Sequence, residues 1–256
     1  MGAPESHVSV ERGLRCHDVT ACYGALQVCR GVSLHVEPGE VLSLIGPNGA
    51  GKTSLIGALN GTVTSTGRIW LERQPLDGLA SWRRVRAGLA TVPDNRGLFP
   101  ALTVGDNLRL GALLCGKSQS AALDEAVQLF PFLRSRWKDV AGALSGGQQQ
   151  MLAVAKCLVG GPRALLLDEP TQGLAPIIVD ELAEAIGNLR RRGLPILLVE
   201  QNHHLVEQVS DRFMVMVGGR IVLEGAGDEL ADRDRIVSLY LQHREDHGVQ
   251  QPEEAR

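Results

Sequence analysis

The chain has 256 residues, 44% of them hydrophobic and 21% charged, and its formal net charge is −3 at pH 7. A chain of this length can bury the core of one domain with a smaller lobe, whereas a charge so close to neutral excludes a general electrostatic attraction to nucleic acid. No apolar run approaches the roughly 20 residues of a membrane-spanning helix, and residues 1–12 lack the apolar region of a signal peptide, so the composition favours a cytosolic protein.

The first predicted elements are short strands that lead into a glycine-rich loop. Residues 14–19 and 32–36 are predicted strands, and a buried strand over residues 40–45 runs directly into the loop. A helix is predicted over residues 52–59, where the loop ends. The loop and the first helical residues are Gly46, Pro47, Asn48, Gly49, Ala50, Gly51, Lys52, Thr53 and Ser54.

This glycine-rich segment, the phosphate loop, has the composition of a phosphate-binding site. Glycines allow consecutive backbone N–H groups to turn towards one anion, and the positive end of the following helix faces the same anion. Lys52 adds a positive charge for the β- and γ-phosphates, and the Thr53 hydroxyl is a ligand for Mg²⁺. The full spacing between a strand and a helix is too specific for a chance glycine turn. We therefore predict that residues 46–54 bind nucleotide.

The middle of the chain, about residues 98–158, has helical periodicity, and a second glycine string stands near its end. This string is Leu144, Ser145, Gly146, Gly147 and Gln148, the signature motif below. A serine hydroxyl and free backbone donors at a helix start form another anion site, so Ser145 to Gln148 are candidate nucleotide contacts. As an alternative, Ser145 is simply a helix cap, which explains the serine but leaves the two glycines without a reason.

Two acidic residues, Asp168 and Glu169, follow the apolar strand predicted over residues 164–167. Beside a phosphate site, Asp168 is expected to hold Mg²⁺ and Glu169 to act as general base on the attacking water. Taken alone, such residues are as often solvent-facing turn carboxylates. The phosphate loop and the signature motif favour the catalytic interpretation.

The last part of the chain alternates predicted strands and helices. A helix is predicted over residues 178–191 and strands over 196–199, 213–217 and 220–224, the last two joined by a hairpin turn at Gly218 and Gly219. Such alternation indicates an α/β fold with a mostly parallel sheet covered by helices on both faces. The polar tail after residue 242 is expected to be flexible.

Together the phosphate loop, the signature motif and the Asp168–Glu169 pair resemble, in this order, the ATP-binding cassette (ABC) ATPases, over about residues 14–241. The resemblance implies the P-loop NTPase ABC ATPase fold: a mostly parallel sheet core, an antiparallel β subdomain and an α-helical subdomain at about 98–158. It implies one domain over residues 14–242, with flexible termini at 1–13 and 243–256. In this family two cassettes close head to tail, and the signature motif of one covers the γ-phosphate held by the other.

Two further positions are matched to the family, one with a departure. Tyr23 stands where the family stacks an aromatic ring on adenine. The segment from Val92 to Pro100 resembles the family's Q-loop, whose glutamine contacts Mg²⁺ and the lytic water. Asp94 occupies that position, and its shorter side chain keeps an acceptor oxygen but has no amide donor. For Asp94 to contact the metal, the loop must come closer to it, or a water must bridge the two.

Another departure indicates a branch of the family. Gln201 stands at the switch position, where most members have a histidine that contacts the γ-phosphate, and Ala175 replaces an aspartate common in the D-loop, residues 169–176. A glutamine amide donates to phosphate without titrating, so a histidine's pH dependence should be absent. His203 and His204 are predicted surface residues at a helix start. These strings, with the ending over residues 236–241, resemble the LivF-type ATPases of branched-chain amino-acid importers and their urea and amide relatives.

This resemblance implies an ATPase subunit of an importer that uses ATP and Mg²⁺. Its implied partners are membrane permease subunits, contacted through residues of about 97–116, and a second ATPase subunit that is related but different, with a homodimer left open. A substrate-binding protein is an indirect partner, and nucleic acid is not one. We expect the protein on the cytoplasmic face of the membrane. The other subunits choose the substrate, which the sequence leaves open.

Two other functions stay open at this point. One is a soluble ABC-type ATPase that acts as an assembly or mechanical factor without a transporter. The other is a P-loop small-molecule kinase or GTPase, for which the signature motif would be a coincidence. Association with membrane proteins discriminates against the first, and a preference for ATP without a phosphoryl acceptor discriminates against the second.

Overall fold

The computed structural model of the protein describes residues 12–113 and 119–231, which form two sheets and the helices packed around them. The elements in chain order are β1 (Leu14–Tyr23), β2 (Leu26–Val36), β3 (Val41–Ile45), α1 (Lys52–Asn60), β4 (Thr64–Leu71), β5 (Gln74–Pro75), α2 (Ser81–Arg86), β6 (Leu89–Val92), α3 (Val104–Ala112), α4 (Gln119–Leu129), α5 (Phe132–Ser135), α6 (Gly146–Leu158), β7 (Ala164–Asp168), α7 (Pro176–Arg191), β8 (Ile196–Glu200), α8 (His203–Val209), β9 (Arg212–Val217) and β10 (Arg220–Ala226). Short 3₁₀ turns lie at Ala141–Ala143 and Gly227–Ala231. None of the helices in these two ranges is both long and apolar enough to cross a bilayer.

The central sheet has six strands in the order β10-β9-β3-β8-β7-β6. All neighbours are parallel except β10, which forms the predicted antiparallel hairpin with β9. Side chains alternate between the two faces: Leu165 and Leu167 pack in the core with α6 and α7, while Leu166 packs in the core with α1. The predicted mostly parallel sheet with helices on both faces is therefore confirmed.

The sheet order brings three strand ends to one edge, because β3, β8 and β7 are parallel neighbours. Ile45 at the end of β3 pairs with Glu200, and Asp168 at the end of β7 pairs with Val199. The loops that follow these strands therefore start side by side. This edge is where an open α/β sheet binds ligands.

The second sheet is antiparallel, in the order β2-β1-β4-β5, and shares a core with α1. Its first two strands are longer than the predicted residues 14–19 and 32–36. Register shifts interrupt the β1–β2 ladder on either side of Val19, and Asp18 has a φ of 53°. Bulges of this kind disturb the period of two, so the sequence pattern shows only the regular parts of the strands.

The predicted helical lobe contains α3, α4, α5 and α6. Thr103 caps α3 by accepting a hydrogen bond from the backbone N–H of Asp106. At Gly111 an added Cβ would lie 2.1 Å from the carbonyl oxygen of Lys156, so α3 approaches α6 to a distance that only glycine allows. The domain bounds at 14 and 242 stay predictions, and the predicted tail and the segment 236–241 lie outside the described residues.

Arg84 closes the carboxyl end of α1, the helix that follows the phosphate loop. Its side chain is buried, its Nη1 donates to the carbonyl oxygens of Ala58 and Leu59, both at 2.7 Å, and its Nε donates to Leu79 at 3.0 Å. These helix-end carbonyls have no partner within the helix. The guanidinium therefore satisfies acceptors that would otherwise be buried without a donor.

We expect Arg84→Met to lower the free energy of unfolding by about 2 kcal/mol, because it keeps the apolar stem but leaves these carbonyls unsatisfied. Arg83→Met is the matched control, since Arg83 is exposed in the same helix. Urea denaturation of both variants measures the difference. Equal stability of the two would show that the three hydrogen bonds contribute nothing measurable.

Candidate functional site

The phosphate loop lies between β3 and α1 and is shaped by close backbone contacts. At Gly46 an added Cβ would stand 2.2 Å from the carbonyl oxygen of Met216, and at Gly51 it would stand 2.7 Å from that of Val28. Gly49 and Gly51 have φ values of 78° and 103°, in the left-handed region that favours glycine. The sequence spacing of the glycines thus follows from the path of the backbone.

Lys52 is buried at the start of α1 and points back over the loop. Its Nζ donates to the carbonyl oxygens of Gly46 at 2.8 Å and Pro47 at 3.1 Å, and it lies 3.6 Å from Glu169 Oε1. Burial lowers the pKa of the Lys52 ammonium, and the nearby carboxylates, Glu169 first, oppose this shift. The loop therefore holds a cation whose charge is only partly compensated by the protein, as expected of a group that receives an anion.

Thr53 and Asp168 bring two oxygen ligands together from α1 and the end of β7. Thr53 Oγ1 donates to Asp168 Oδ1 at 3.1 Å. Burial is the main cause that raises the pKa of Asp168 to about 6; the Thr53 hydrogen bond opposes it and the charge of Asp94 adds to it. Hydroxyl and carboxylate oxygens are the ligands that Mg²⁺ prefers, so this pair fits a hard cation. A bound cation would offset the burial of the Asp168 charge.

Glu169 and Gln201 are in direct contact at the shared strand edge. Gln201 Nε2 donates to Glu169 Oε1 at 2.6 Å and to Asn48 Oδ1 at 2.7 Å, so one amide joins the end of β8 to the end of β7 and to the phosphate loop. Glu169 has a φ of 45°, a conformation that a non-glycine residue adopts only when its surroundings impose it. The candidate base is thus held in a defined orientation beside Lys52.

The signature motif begins α6 with a capping box. Ser145 Oγ accepts from the backbone N–H of Gln148, and the Gln148 side chain accepts from the N–H of Ser145. At Gly147 an added Cβ would lie 2.6 Å from Ile178 Cγ2 of α7. The purely structural interpretation therefore accounts for Gly147 as well as Ser145, contrary to the expectation from sequence. Gly146 is exposed at the helix start.

The other predicted residues are more exposed. Asp94 lies near enough to Asp168 to affect it electrostatically, while its own Oδ1 accepts from the backbone N–H of Asn95 at 2.7 Å. Tyr23, at the end of β1, is 54% exposed. His203 and His204 are exposed at the start of α8, as predicted, and Asn202 caps that helix.

Sequence reasoning missed two residues that connect the site loops. Glu200 is buried at the end of β8, and its carboxylate accepts hydrogen bonds from the loop after β7, at Thr171, and from the loop after β8, at Gln201. Arg96 in the Q-loop donates from Nη1 to Gln149 Oε1 at 2.6 Å, which links that loop to the signature helix. A charged residue ending a strand of four apolar residues was the available signal for Glu200. Nothing in the sequence pairs Arg96 with a residue 53 positions away.

Comparison with known proteins adds a family match and whole-length relatives. A model of the ABC transporter family matches residues 29–172. The high-affinity branched-chain amino acid transport ATP-binding protein BraG of Pseudomonas aeruginosa is 41% identical over 87% of this chain and 97% of its own length. BraF of the same organism, which has the same description, is 31% identical over 89% and 97%.

Two more comparisons agree in length and shape. The probable branched-chain amino acid transport ATP-binding protein LivF of Archaeoglobus fulgidus is 34% identical over 89% of this chain and 98% of its own. A solved nucleotide-free ATP-binding cassette from an ABC transporter superposes with a TM-score of 0.79 at 25% identity, covering 89% of this chain and 98% of that one. The match therefore extends over nearly the whole of each protein.

Proposed function

Since the chain belongs to the ABC transporter family and is an ATP-binding ATPase of that family, we propose that it powers an importer of branched-chain or other amino acids. The observation that carries the substrate class is the identity of 41% to BraG along nearly all of that protein. The family match and these relatives do not support a soluble factor without a transporter, nor a P-loop kinase or GTPase.

The nucleotide is bound, in this proposal, by residues 46–54, with Lys52 on the β- and γ-phosphates and Tyr23 beside the adenine. Mg²⁺ would neutralise charge on the phosphates, and Thr53 and Asp168 would hold it, since their oxygens lie 3.1 Å apart. Asp94 contributes a further carboxylate from the Q-loop. The joint position of Lys52, Glu169 and Gln201 supports a site for the terminal phosphate at the strand edge.

Glu169 is the proposed general base, and Gln201 orients it. A carboxylate held at one oxygen by the Gln201 amide keeps its other oxygen free to accept a proton from water. Because the amide of Gln201 does not titrate, this contact stays unchanged across neutral pH, unlike one made by histidine.

The signature motif serves a second ATPase subunit in this proposal. The hydrogen bonds of Ser145 are made to Gln148 and Gln149 at its own helix start, and Gly146 is exposed there. An exposed helix N-terminus receives an anion well. BraG and BraF, two related ATP-binding proteins of one organism, support a heterodimer of different but similar chains, in which this chain contributes half of each ATP site.

Permease subunits are proposed to dock beside the Q-loop, and a cavity there supports this. It has a volume of about 450 Å³ and lies between α2, β6, α3 and α6, against Val85, Leu110 and Cys157 among others. Large apolar side chains between residues 82 and 113 are also exposed, among them Trp82, Phe99, Leu102 and Leu113. Of the predicted docking residues, Leu110 and Gly111 line this cavity, and 114–116 lie outside the described residues. Through such partners the chain would sit on the inner face of the membrane.

Co-purification from solubilised membranes tests the proposal, with Leu110→Glu as the decisive variant. We expect the wild-type chain to bring down permease subunits and a second ATPase. Leu110→Glu places a charge in the apolar cavity, so it should reduce the recovered permease at least about tenfold while the chain still binds ATP. Gln128→Glu adds the same charge on the exposed face of α4 and should leave recovery unchanged. Finding no membrane protein with the wild type would contradict an importer.

A further inference from the structure

Glu200 is a buried carboxylate to which no sequence motif gives a role. It is the last residue of β8, in the middle of the parallel sheet, and only 2% of its surface is exposed. Burying an ionised carboxylate is costly unless hydrogen-bond donors replace the lost water. The groups that donate to the Glu200 carboxylate therefore show which segments its burial depends on.

Four hydrogen bonds satisfy this carboxylate, two from each of two loops. Oε1 accepts from the backbone N–H of Thr171 at 2.9 Å and from its hydroxyl at 2.6 Å. Oε2 accepts from the backbone N–H groups of Gln201 and Asn202, at 2.7 and 2.9 Å. One oxygen thus binds the D-loop, and the other binds the segment Gln201–Asn202, which we call the switch loop.

Both loops carry a residue of the hydrolytic site. Glu169 lies two residues before Thr171, and Gln201 donates across the gap to Glu169 Oε1. Any separation of the two loops would break this 2.6 Å contact and release Glu169, whose left-handed φ of 45° depends on its surroundings. The hydrogen bonds of Glu200 join the same two loops.

We propose that Glu200 is a positioning residue for ATP hydrolysis: it ties the D-loop to the switch loop and so keeps Gln201 on Glu169. The inference rests on the proposed roles of Glu169 and Gln201. Glutamate is the side chain that meets the geometry. Glutamine would turn an N–H₂ donor towards N–H donors of one loop, and aspartate is one methylene too short to reach both.

The D-loop and the helix that follows it also contact the signature motif, so the hydrogen bonds of Glu200 are connected to that motif as well. From Thr171 the D-loop runs into α7, where Ile178 packs so closely on Gly147 that no Cβ fits between them. Leu174 of the same loop lies against Gly146, 4.0 Å from the position of an added Cβ. Glu200 thus stands at one end of a continuous set of contacts from the hydrolytic residues to the signature helix.

Steady-state ATPase kinetics of the full chain, in complex with its co-purified partners, test this role. We expect Glu200→Gln to lower kcat at least about tenfold while KM for ATP and the Kd of ATP change less than about threefold, because the lost bonds are charge-assisted and involve none of the phosphate-loop residues 46–54. Glu184→Gln, the same change on the exposed face of α7, is the control. Melting temperatures show whether each variant is folded.

Thr171 provides a milder pair of variants that keeps the buried carboxylate. Thr171→Val removes only the hydroxyl donor at nearly constant shape, and should lower kcat about threefold or more with unchanged KM; Thr171→Ser restores the hydroxyl and should restore kcat. In a Gln201→Ala background, Thr171→Val should have little further effect, because both act on one contact.

Three results would overturn the role of Glu200: an unchanged kcat in both Glu200→Gln and Thr171→Val, a kcat loss matched by an equal rise in KM, or equal effects of Thr171→Val with and without Gln201. None of these results would contradict the proposed function, because all three are comparisons with a wild-type complex that hydrolyses ATP. A wild-type complex that binds no ATP would instead contradict the proposed function, and the role of Glu200 with it.

Discussion

Replacing Glu169 with glutamine is expected to lower ATP turnover by about 10²- to 10⁴-fold, the range found when a general base is removed, and to leave ATP binding intact. The amide keeps the size of the side chain, and its oxygen can still accept from Gln201 Nε2. It cannot take a proton from water. The loss therefore falls on the chemical step.

ATP affinity in this variant should be equal to or higher than that of the wild type. Glu169 Oε1 lies 3.6 Å from Lys52 Nζ, so the carboxylate competes with phosphate for the ammonium and repels the phosphates themselves. Removing its charge relieves both effects. A fall in kcat together with an unchanged or lower Kd for ATP is a signature that general unfolding cannot produce.

Single-turnover hydrolysis and equilibrium binding of ATP, measured on the same preparation, check this prediction. Glu184→Gln serves as control, because it makes the same substitution on an exposed helix face away from the strand edge. Hydrolysis at an undiminished rate by Glu169→Gln would show that the base has been assigned to the wrong residue.

The residues of the phosphate loop could be predicted from sequence because their constraints are local. A strand, a glycine turn and a helix follow one another within about 20 residues, and Lys52 folds back on the carbonyls of Gly46 and Pro47 in its own loop. The serine cap of α6 is local in the same way, with Ser145 and Gln148 three residues apart. In motifs of this kind the contacts that fix the geometry are made between residues of the same short segment.

Contacts between distant segments could not be predicted in this way. Thr171 and Glu200 are 29 residues apart, and only the parallel pairing of β7 with β8 makes their loops neighbours. The reason for Gly147 lies in α7, whose Ile178 leaves no room for a Cβ. Neither the partner of Thr171 nor the packing of Gly147 can be predicted from its own segment, because both depend on the tertiary arrangement of distant segments.

Replacing Lys52 with methionine is expected to weaken ATP binding by about 100-fold or more, as for the loss of a charge-assisted contact to phosphate in a buried site. Lys52 is the cation that begins α1 and faces the inside of the phosphate loop. Methionine keeps an unbranched apolar chain of similar length, so the packing of the buried stem is retained. The substitution removes the positive charge and the three N–H donors of the ammonium group.

The unliganded fold should not suffer from this change. Burial lowers the pKa of Lys52, which means that the empty site disfavours the charged ammonium even beside Glu169. Removing the charge therefore relieves a cost in the free protein, at the expense of two hydrogen bonds to carbonyls on the loop. We expect the free energy of unfolding without nucleotide to change by less than about 1 kcal/mol.

Urea denaturation with and without ATP separates these two effects. The wild type should gain stability on adding ATP, as any protein does from a ligand that binds only its folded state, and Lys52→Met should gain almost none. Lys138→Met, at an exposed lysine of the helical lobe, should behave as the wild type. Stabilisation of Lys52→Met by ATP to the wild-type extent would mean that the phosphates are held by backbone groups alone, and that the buried ammonium has another purpose.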